Sequence, residues 1–366
     1  MLVPNWSLMD CRLTLPDSNL GAAWRELARR PLAPSGHNSP ELMIPAIRLH
    51  RSARLAAVRD SEGLQLALPL EQRGFPLRFH ASVTTRVSFY GLPHLGRHMA
   101  IPALAALLRK LNRPVLLHSV PVGGVLWETI SGVGGHMSVV ESWHRAVLKP
   151  AGSYTHWFAT NFERKRRKEY RRLQSRLSEQ GHYEAQSLGA NDNVAEWVAE
   201  FLRLEAAGWK GQRGSAMNAD RAAVAALHEG LSGLAQSGKL RFWKLALDGR
   251  PIAMLFAIVE GNEAWLGKIA HDESLARFSP GVLLILHATE QVFAEGLAQA
   301  DSCAIPDHPM IDRLWRGRLQ VADVMIAAPT AGVTRFKLTL AAELSRRRLK
   351  SCARYLFHAL TGRRRS

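Results

Sequence analysis

The chain has 366 residues, with 48 Lys+Arg against 31 Asp+Glu, a formal net charge of +17, and 47% hydrophobic residues. That composition excludes wholesale disorder and supplies enough chain for about two domains with real cores. Cys11, Cys303 and Cys352 are far apart and form no CxxC pair, which excludes a disulfide scaffold and a structural zinc site and points to a reducing compartment.

The first ten residues place Pro4, Asn5 and Asp10 where a secretory leader needs an apolar core, so none is expected. The longest apolar runs, Met99–Leu108 and Ile252–Val259, fall short of the ~20 residues that span a bilayer. The expectation is a soluble cytoplasmic protein. Its charge is local: Glu163–Gln180 carries +5 and Ala331–Ser366 carries +9, leaving the rest nearly balanced.

Residues 1–40 are broken by Pro16, Pro31, Pro34, Gly36 and Pro40 around one predicted helix, Asn19–Arg30. Strands are predicted at Ala46–His50, Arg54–Arg59, Gln65–Leu70 and Val87–Tyr90, then a helix at Pro102–Leu111 with Pro in its first turn. Val115–Val120 reads as a strand, and a strand pair is expected around Gly132–His136. The Gly-Val-Gly-Gly there precedes no clear helix and reads as a loop, not a phosphate cradle.

The second half is better punctuated. A basic helix, Glu163–Gln180, stops at Gly181, and Val194–Ala207 carries Trp197, Phe201 and Leu204 on one face. A helix at Asp220–Gln236 leads into a three-strand meander, Lys239–Leu247, Ile252–Val259 and Ala264–Ala270, with turns at Asp248-Gly249 and Gly261-Asn262. Ser279-Pro280-Gly281 opens an apolar helix, Val282–Glu295, closed by Gly296. A strand near Ala300–Ile305, a polar loop Asp307–Arg313 and a strand Val321–Ala327 follow. No solenoid period is present, but the element order permits a duplication into two α+β halves.

In the tail, Leu338, Ala341, Leu344, Cys352, Tyr355, Leu356, Ala359 and Leu360 recur at helical spacing, with Arg346–Arg348, Lys350, Arg354 and Arg363–Arg365 among and after them. Two readings stand: a basic amphipathic anchor for an anionic membrane surface, or a terminal helix packed on the body.

The second half resembles the GNAT N-acyltransferase fold, and within it the group typified by CelD-like acetyltransferases and Fem-type peptidyl transferases. Four segments carry the resemblance: the basic run from Arg164; Glu205-Ala-Ala-Gly-Trp-Lys-Gly211; Gly249-Arg-Pro-Ile-Ala253 with Phe278-Ser-Pro-Gly281; and Asp301-Ser-Cys-Ala-Ile-Pro-Asp-His-Pro309. It implies an α+β fold of two GNAT-like halves, each a mixed, mostly antiparallel sheet flanked by helices. Residues 1–145 would form the first half, 146–330 the second with the cofactor site, and 331–366 the basic tail helix. It further implies an acyl-CoA or acetyl-CoA co-substrate, an amine acceptor and no metal. The family's glycine-rich cofactor loop is here Ala276-Arg-Phe-Ser-Pro-Gly281, with fewer glycines to offer free amides.

On this reading Ser279, Pro280 and Gly281 place pyrophosphate at a helix N-terminus, with Arg277 and Lys268 beside it. The alternative for Ser279 is an ordinary N-cap. Attack by an amine needs a base, and His308 is the leading candidate, oriented by Asp307 or Asp312 and near Asp301; His271, followed by Asp272, is the rival. Glu205, Trp209 and Lys210 are the acceptor-side candidates. Cys303 lacks the adjacent His a thiol nucleophile needs. The basic helix is a solvated face or a surface for the 3′-phosphate of CoA, a phosphorylated acceptor or RNA. The expected function is acyl-CoA-dependent N-acylation of a lipid amine such as a sphingoid base, or of an envelope amino-sugar precursor, at the inner face of the membrane. A Fem-type ligase using aminoacyl-tRNA and a non-catalytic GNAT-like scaffold are the alternatives.

Overall fold

Two meanders, each followed by a helix and a parallel strand, account for most of the chain. The structure, a computed structural model, describes residues 9–208 and 217–360. The first half runs β1 Asp10–Thr14, α1 Ser18–Arg29, α2 Pro40–Leu49, β2 Ala53–Asp60, β3 Gly63–Arg73, β4 Phe79–Ser82, β5 His94–Leu95, α3 Ala100–Leu111, β6 Val115–Pro121, α4 Gly124–Gly132 and β7 His136–Leu148. After α5 Tyr154–Asn161 and α6 Arg164–Ser178, the second half repeats that order. It comprises β8 Tyr183–Ser187, α7 Val194–Ala207, α8 Arg221–Gln236, β9 Leu240–Leu247, β10 Arg250–Glu260, β11 Glu263–His271, α9 Pro280–Ala294, β12 Gln299–Asp301 and β13 Gly317–Ala327. A long helix, α10 Val333–Leu360, closes the chain.

The strands form one mixed, mostly antiparallel sheet ordered β1-β2-β3-β4-β6-β13-β7-β12-β11-β10-β9-β8, with β5 on β3. Each half contributes one parallel pair, β4 with β6 and β11 with β12, joined across α3 and α9. The order is palindromic because the halves exchange their last strands: β13 pairs β6, and β7 pairs β12. The predicted boundary at residues 145 and 146 therefore falls inside β7.

The helices cover both faces of this sheet. Leu284, Ala288 and Val292 of α9 pack with Tyr170, Leu173 and Leu177 of α6, while Trp197 and Phe201 of α7 pack with Leu227 and Leu231 of α8. Tyr170, Leu173 and Leu177 are thus the buried face of the basic helix.

Three predicted strands in the first half differ. Ala46–His50 lies in α2, which opens with Pro40 at its first position and buries Leu42, Met43 and Ile47. A short apolar run fits either period, and packing decides: Gly230 and Gly233 of α8 let α2 approach so closely that a Cβ on Gly230 would meet Leu42 Cδ2 at 2.9 Å. Val87–Tyr90 is irregular; its amides bond side chains, Ser88 to Thr85 Oγ1 at 2.9 Å and Phe89 to His37 Nδ1 at 3.0 Å. At Gly132–His136 there is no strand pair, because α4 ends there and β7 begins. The strand near Ala300–Ile305 shortens to Gln299–Asp301 because Cys303 turns the chain at φ +50°.

The first half of α10 docks on the body through Phe336, Leu340 and Leu344, against Phe79, Leu116 and Met325. Buried Glu343 holds Arg346 at 2.6 Å and Arg347 at 2.8 Å, and Arg347 continues to Asp323 at 2.6 Å. Asp323 also takes His118 Nδ1 at 3.0 Å and the Ser119 amide at 2.9 Å. Burial pushes the Asp323 carboxyl up, but His118, Arg347 and that amide together hold it below the ordinary range. A carboxyl lowered on folding stabilises fully above its unfolded value, about 4, and loses that contribution as pH falls through the folded value. Urea unfolding across pH 2–6 is therefore expected to show acid destabilisation below about pH 4 that Asp323→Asn flattens. An unchanged slope contradicts this.

Candidate active site

The site forms where β11 ends and α9 begins. A short 3₁₀ turn, Glu273–Phe278, closes on Ser279, whose φ of +51° is left-handed and strained for a non-glycine residue. Ser279 stands at the N-cap position of α9, but its side chain makes no capping bond. Pro280 has no N–H, so Gly281 supplies the first donor of the helix.

A cleft of 430 Å³ lies over this helix start. From α6 come Arg166 and Tyr170, from the turn Arg277, from the loop after β12 Met310 and Arg313, and from the end of β11 His271. Three guanidinium groups and a helix N-terminus thus converge on one space, a strongly anion-attracting arrangement. Burial raises the Tyr170 phenol, and Arg166 and Arg313 work against that rise, which locates both cations near its ring. Arg277 stacks over Phe278, its guanidinium carbon 4.7 Å from the ring centre.

His271 is the hinge of the site. A Cβ on Gly281 would lie 3.4 Å from His271 Nδ1, an ordinary contact distance, which puts the imidazole against the first turn of α9. The same ring lines a smaller hollow of 40 Å³ with Glu205, Gly208 and Glu273. His271 therefore faces the anion cleft on one side and this hollow on the other.

Glu205 is buried, taking Lys268 Nζ at 3.2 Å and the Met217 amide at 3.0 Å. Lys268 is thus engaged with α7 and does not line the cleft at α9. It sits in a register break of β11: Leu255 faces Ile269 and Ala257 faces Leu266, so Gly267 and Lys268 together oppose Phe256. A Cβ at Gly267 would strike the Phe256 ring, so the bulge requires glycine.

The other predicted site residues divide. Arg277, Ser279, Pro280 and Gly281 line the cleft together with His271. His308 lies outside both hollows on its loop, half-buried, its Nδ1 accepting the Met310 amide at 3.4 Å. Asp307 is exposed with φ +55°, and the Asp312 amide bonds the His308 carbonyl at 3.2 Å. Asp301 is buried away from the cleft, accepting Arg145 at 2.8 Å, the Tyr90 hydroxyl and the Cys303 amide at 2.8 Å. Burial drives the Cys303 thiol well above its ordinary value, Asp301 adding to the rise and Arg145 opposing it. Trp209 and Lys210 lie outside the described residues. Sequence reasoning did not single out Arg166, Tyr170 or Arg313; the i,i+4 pair Arg166/Tyr170 was the available signal, hidden in a run of eight basic residues.

Comparison with known proteins agrees with this geometry. A family model described as acetyltransferase (GNAT) domain matches residues 164–308, from the start of α6 to His308. This segment is thus similar to GNAT-type acetyltransferase domains. The GNAT domain supports acyltransferase activity and spans less than half of the chain. Three solved structures resemble the chain over most of its length. One is the C-terminal domain of a protein named as a lysylphosphatidylglycerol synthetase of Agrobacterium fabrum (TM-score 0.57, 11% identity, covering 88% of this chain and 95% of that one). FemX gives 0.56, 10%, 84% and 96%. L-PGS from Bacillus licheniformis gives 0.56, 11%, 90% and 98%. At such identities the likeness speaks for the fold. No curated protein matches by sequence. Among the described residues no helix is long and apolar enough to cross a membrane, and no group of three or more His, Cys, Asp and Glu is placed to hold a metal ion.

Proposed function

We propose that the chain transfers an acyl group from acyl-CoA to an amine. The carrying observation is the convergence of Arg166, Arg277 and Arg313 on the start of α9, with His271 alongside. The loop before α9 has few glycines and loses one amide to Pro280, so its backbone grip on phosphate is weaker than a glycine-rich loop would give. The guanidinium groups offset this, and cations suit the phosphates of CoA as well as amides do.

The amine must attack in its neutral form. As the C–N bond forms and the C–S bond breaks, the thiolate leaves and the nitrogen sheds a proton. His271, between the anion cleft and the hollow beside Glu205, takes that proton. The amides freed by the bulge at Gly267–Lys268 face the developing oxyanion. The Glu205–Lys268 pair forms the wall of the acceptor side.

Calorimetry with CoA tests the donor site. Arg166→Ala with Arg313→Ala is expected to weaken binding about ten- to a hundredfold, with a shallower salt dependence. No binding by the unaltered protein, or unchanged affinity in the variant, overturns the reading. Arg164, Lys165, Lys168 and Arg171 stay exposed on the outer side of α6, the surface an aminoacyl-tRNA donor would use; saturable tRNA binding with no CoA binding would favour the ligase.

For the acceptor we propose an amine borne on a lipid or an envelope amino sugar, presented at an anionic membrane. Support comes from the outer face of α10, where Leu338 is 52% and Leu349 71% exposed, eleven residues apart and so nearly in line on the helix. Arg348 and Lys350 flank Leu349. Flotation with vesicles rich in phosphatidylglycerol is expected to carry the protein, and Leu338→Glu with Leu349→Glu to abolish this. Equal flotation of both forms ends the proposal.

A further inference from the structure

A second cleft, of 650 Å³, opens between α1, α2 and the end of α8, where the two halves meet. Its charged residues are unevenly matched. Glu41, in the first turn of α2, lines it with a side chain only 9% exposed, and its Oε2 has no hydrogen-bond partner among the described residues. The nearest cation is Lys239 Nζ at 3.8 Å, which is already bonded to Glu260 Oε1 at 3.0 Å. Glu260 is itself buried, and its other oxygen takes the Ser35 amide at 2.8 Å. Two buried carboxylates therefore share one ammonium group. The cluster is one positive charge short, and Glu41 is one donor short.

A buried carboxylate oxygen without a donor is costly, so such a group is normally found paired. Here the surrounding side chains offer it no donor. Gly233 of α8 passes directly over Glu41, where a Cβ would come to 3.3 Å from Glu41 Cβ, and no α8 side chain at that position fills the space. At the wall of the same cleft stands Arg25 of α1. A deficit of positive charge at the floor and a guanidinium at the wall complement a molecule carrying both signs.

We propose that this cleft is a second ligand site for a small zwitterion with a primary ammonium group, an α-amino acid by chemical class. Its ammonium pairs with the Glu41 carboxylate, and its carboxylate pairs with Arg25. The site is not the acceptor side of the reaction. Glu260 pairs with Glu263 at the start of β11, whereas His271 ends that strand eight residues on, about 26 Å away at 3.3 Å per residue. The occupant thus sits at the far end of the meander from the acyl site.

The test uses the full-length protein with no acyl donor present. Individual α-amino acids, ethanolamine and acetate are titrated by calorimetry and by ligand-observed NMR. At least one amino acid is expected to bind with one-to-one stoichiometry, ethanolamine more weakly, and acetate not at all. The near-isosteric Glu41→Gln should lower the amino-acid affinity about tenfold or more while leaving the melting temperature close to the original. Arg25→Ala, on an exposed helix position, should weaken the amino acid but not ethanolamine. Absence of binding by every amino acid at 20 mM overturns the proposal, as does acetate binding as well as an amino acid, or an affinity that Glu41→Gln leaves unchanged. CoA binding, measured separately, is unaffected by any of these outcomes.

Discussion

Replacement of His271 by Ala is expected to lower kcat about 10²- to 10³-fold while leaving the affinity for CoA within a factor of two or three, because a positioned base contributes to the transition state and little to donor binding. The split between kcat and affinity is what separates a base from a wall of the cleft. Added imidazole should restore part of the rate. His308→Ala is expected to stay within a few-fold of the original rate, since that ring lies outside both hollows. The hypothesis is wrong if His271→Ala turns over normally, and the roles reverse if His308→Ala carries the large loss. Both variants replace half-buried residues, so each should fold; a melting curve checks this before the kinetics are read.

The choice between these two histidines shows how far the sequence can be read. Each stands near an Asp after a strand, and the sequence put His308 first, with His271 as its rival. What separates them is the fold: His271, at the end of β11, lines the cleft over the start of α9, and His308 does not. The second half was legible because its signals are local and strong. The turns Asp248-Gly249 and Gly261-Asn262, the cap at Gly296 and the alternation in β9 to β11 each fix an element without help from afar. In the first half, Ala46–His50 has a period that fits strand or helix, and only contact with Gly230 and Gly233 of α8, some 180 residues later, decides it. The strand exchange was invisible for the same reason. Nothing in Gly317–Ala327 records that it pairs with β6 of the other half. The charge, by contrast, was informative once divided: the basic helix turned Arg166 toward the start of α9, and the tail turned Glu343 and Arg347 inward. Lys268 meets Glu205 of α7 at 3.2 Å, beside a bulge at Gly267 that its sequence neighbours do not announce.

The exchange also concentrates stability at two seams, and the stronger test lies at the one between β7 and β12. There Arg145 of β7 and Asp301 of β12 are 2% and 1% exposed and bond at 2.8 Å, with the Tyr90 hydroxyl on the same carboxylate and the Tyr90 ring 4.4 Å beneath the guanidinium. Burial alone would lower the Arg145 value, but Asp301 and Tyr90 outweigh it and the group stays charged. Removing one partner from such a pair strands the other charge away from water, so Arg145→Met is expected to cost about 3–5 kcal/mol of unfolding free energy by urea titration. Asp301→Asn should cost a similar amount, because a neutral amide leaves the buried Arg145 charge without its counter-ion, and Tyr90→Phe about 1–3 kcal/mol for the lost donor. The double variant Arg145→Met with Asp301→Leu separates the causes. If the single loss comes from an unpaired carboxylate, the double variant recovers part of it, since an apolar pair of similar volume is often neutral. A double variant less stable than Arg145→Met by the full cost of a second cavity would instead mean that the seam is held by packing and the pair adds nothing. The opposite seam, where Asp323 of β13 meets His118 of β6 at 3.0 Å, is less deeply buried, His118 being 13% exposed against 2% for Arg145, so its loss should be the smaller of the two.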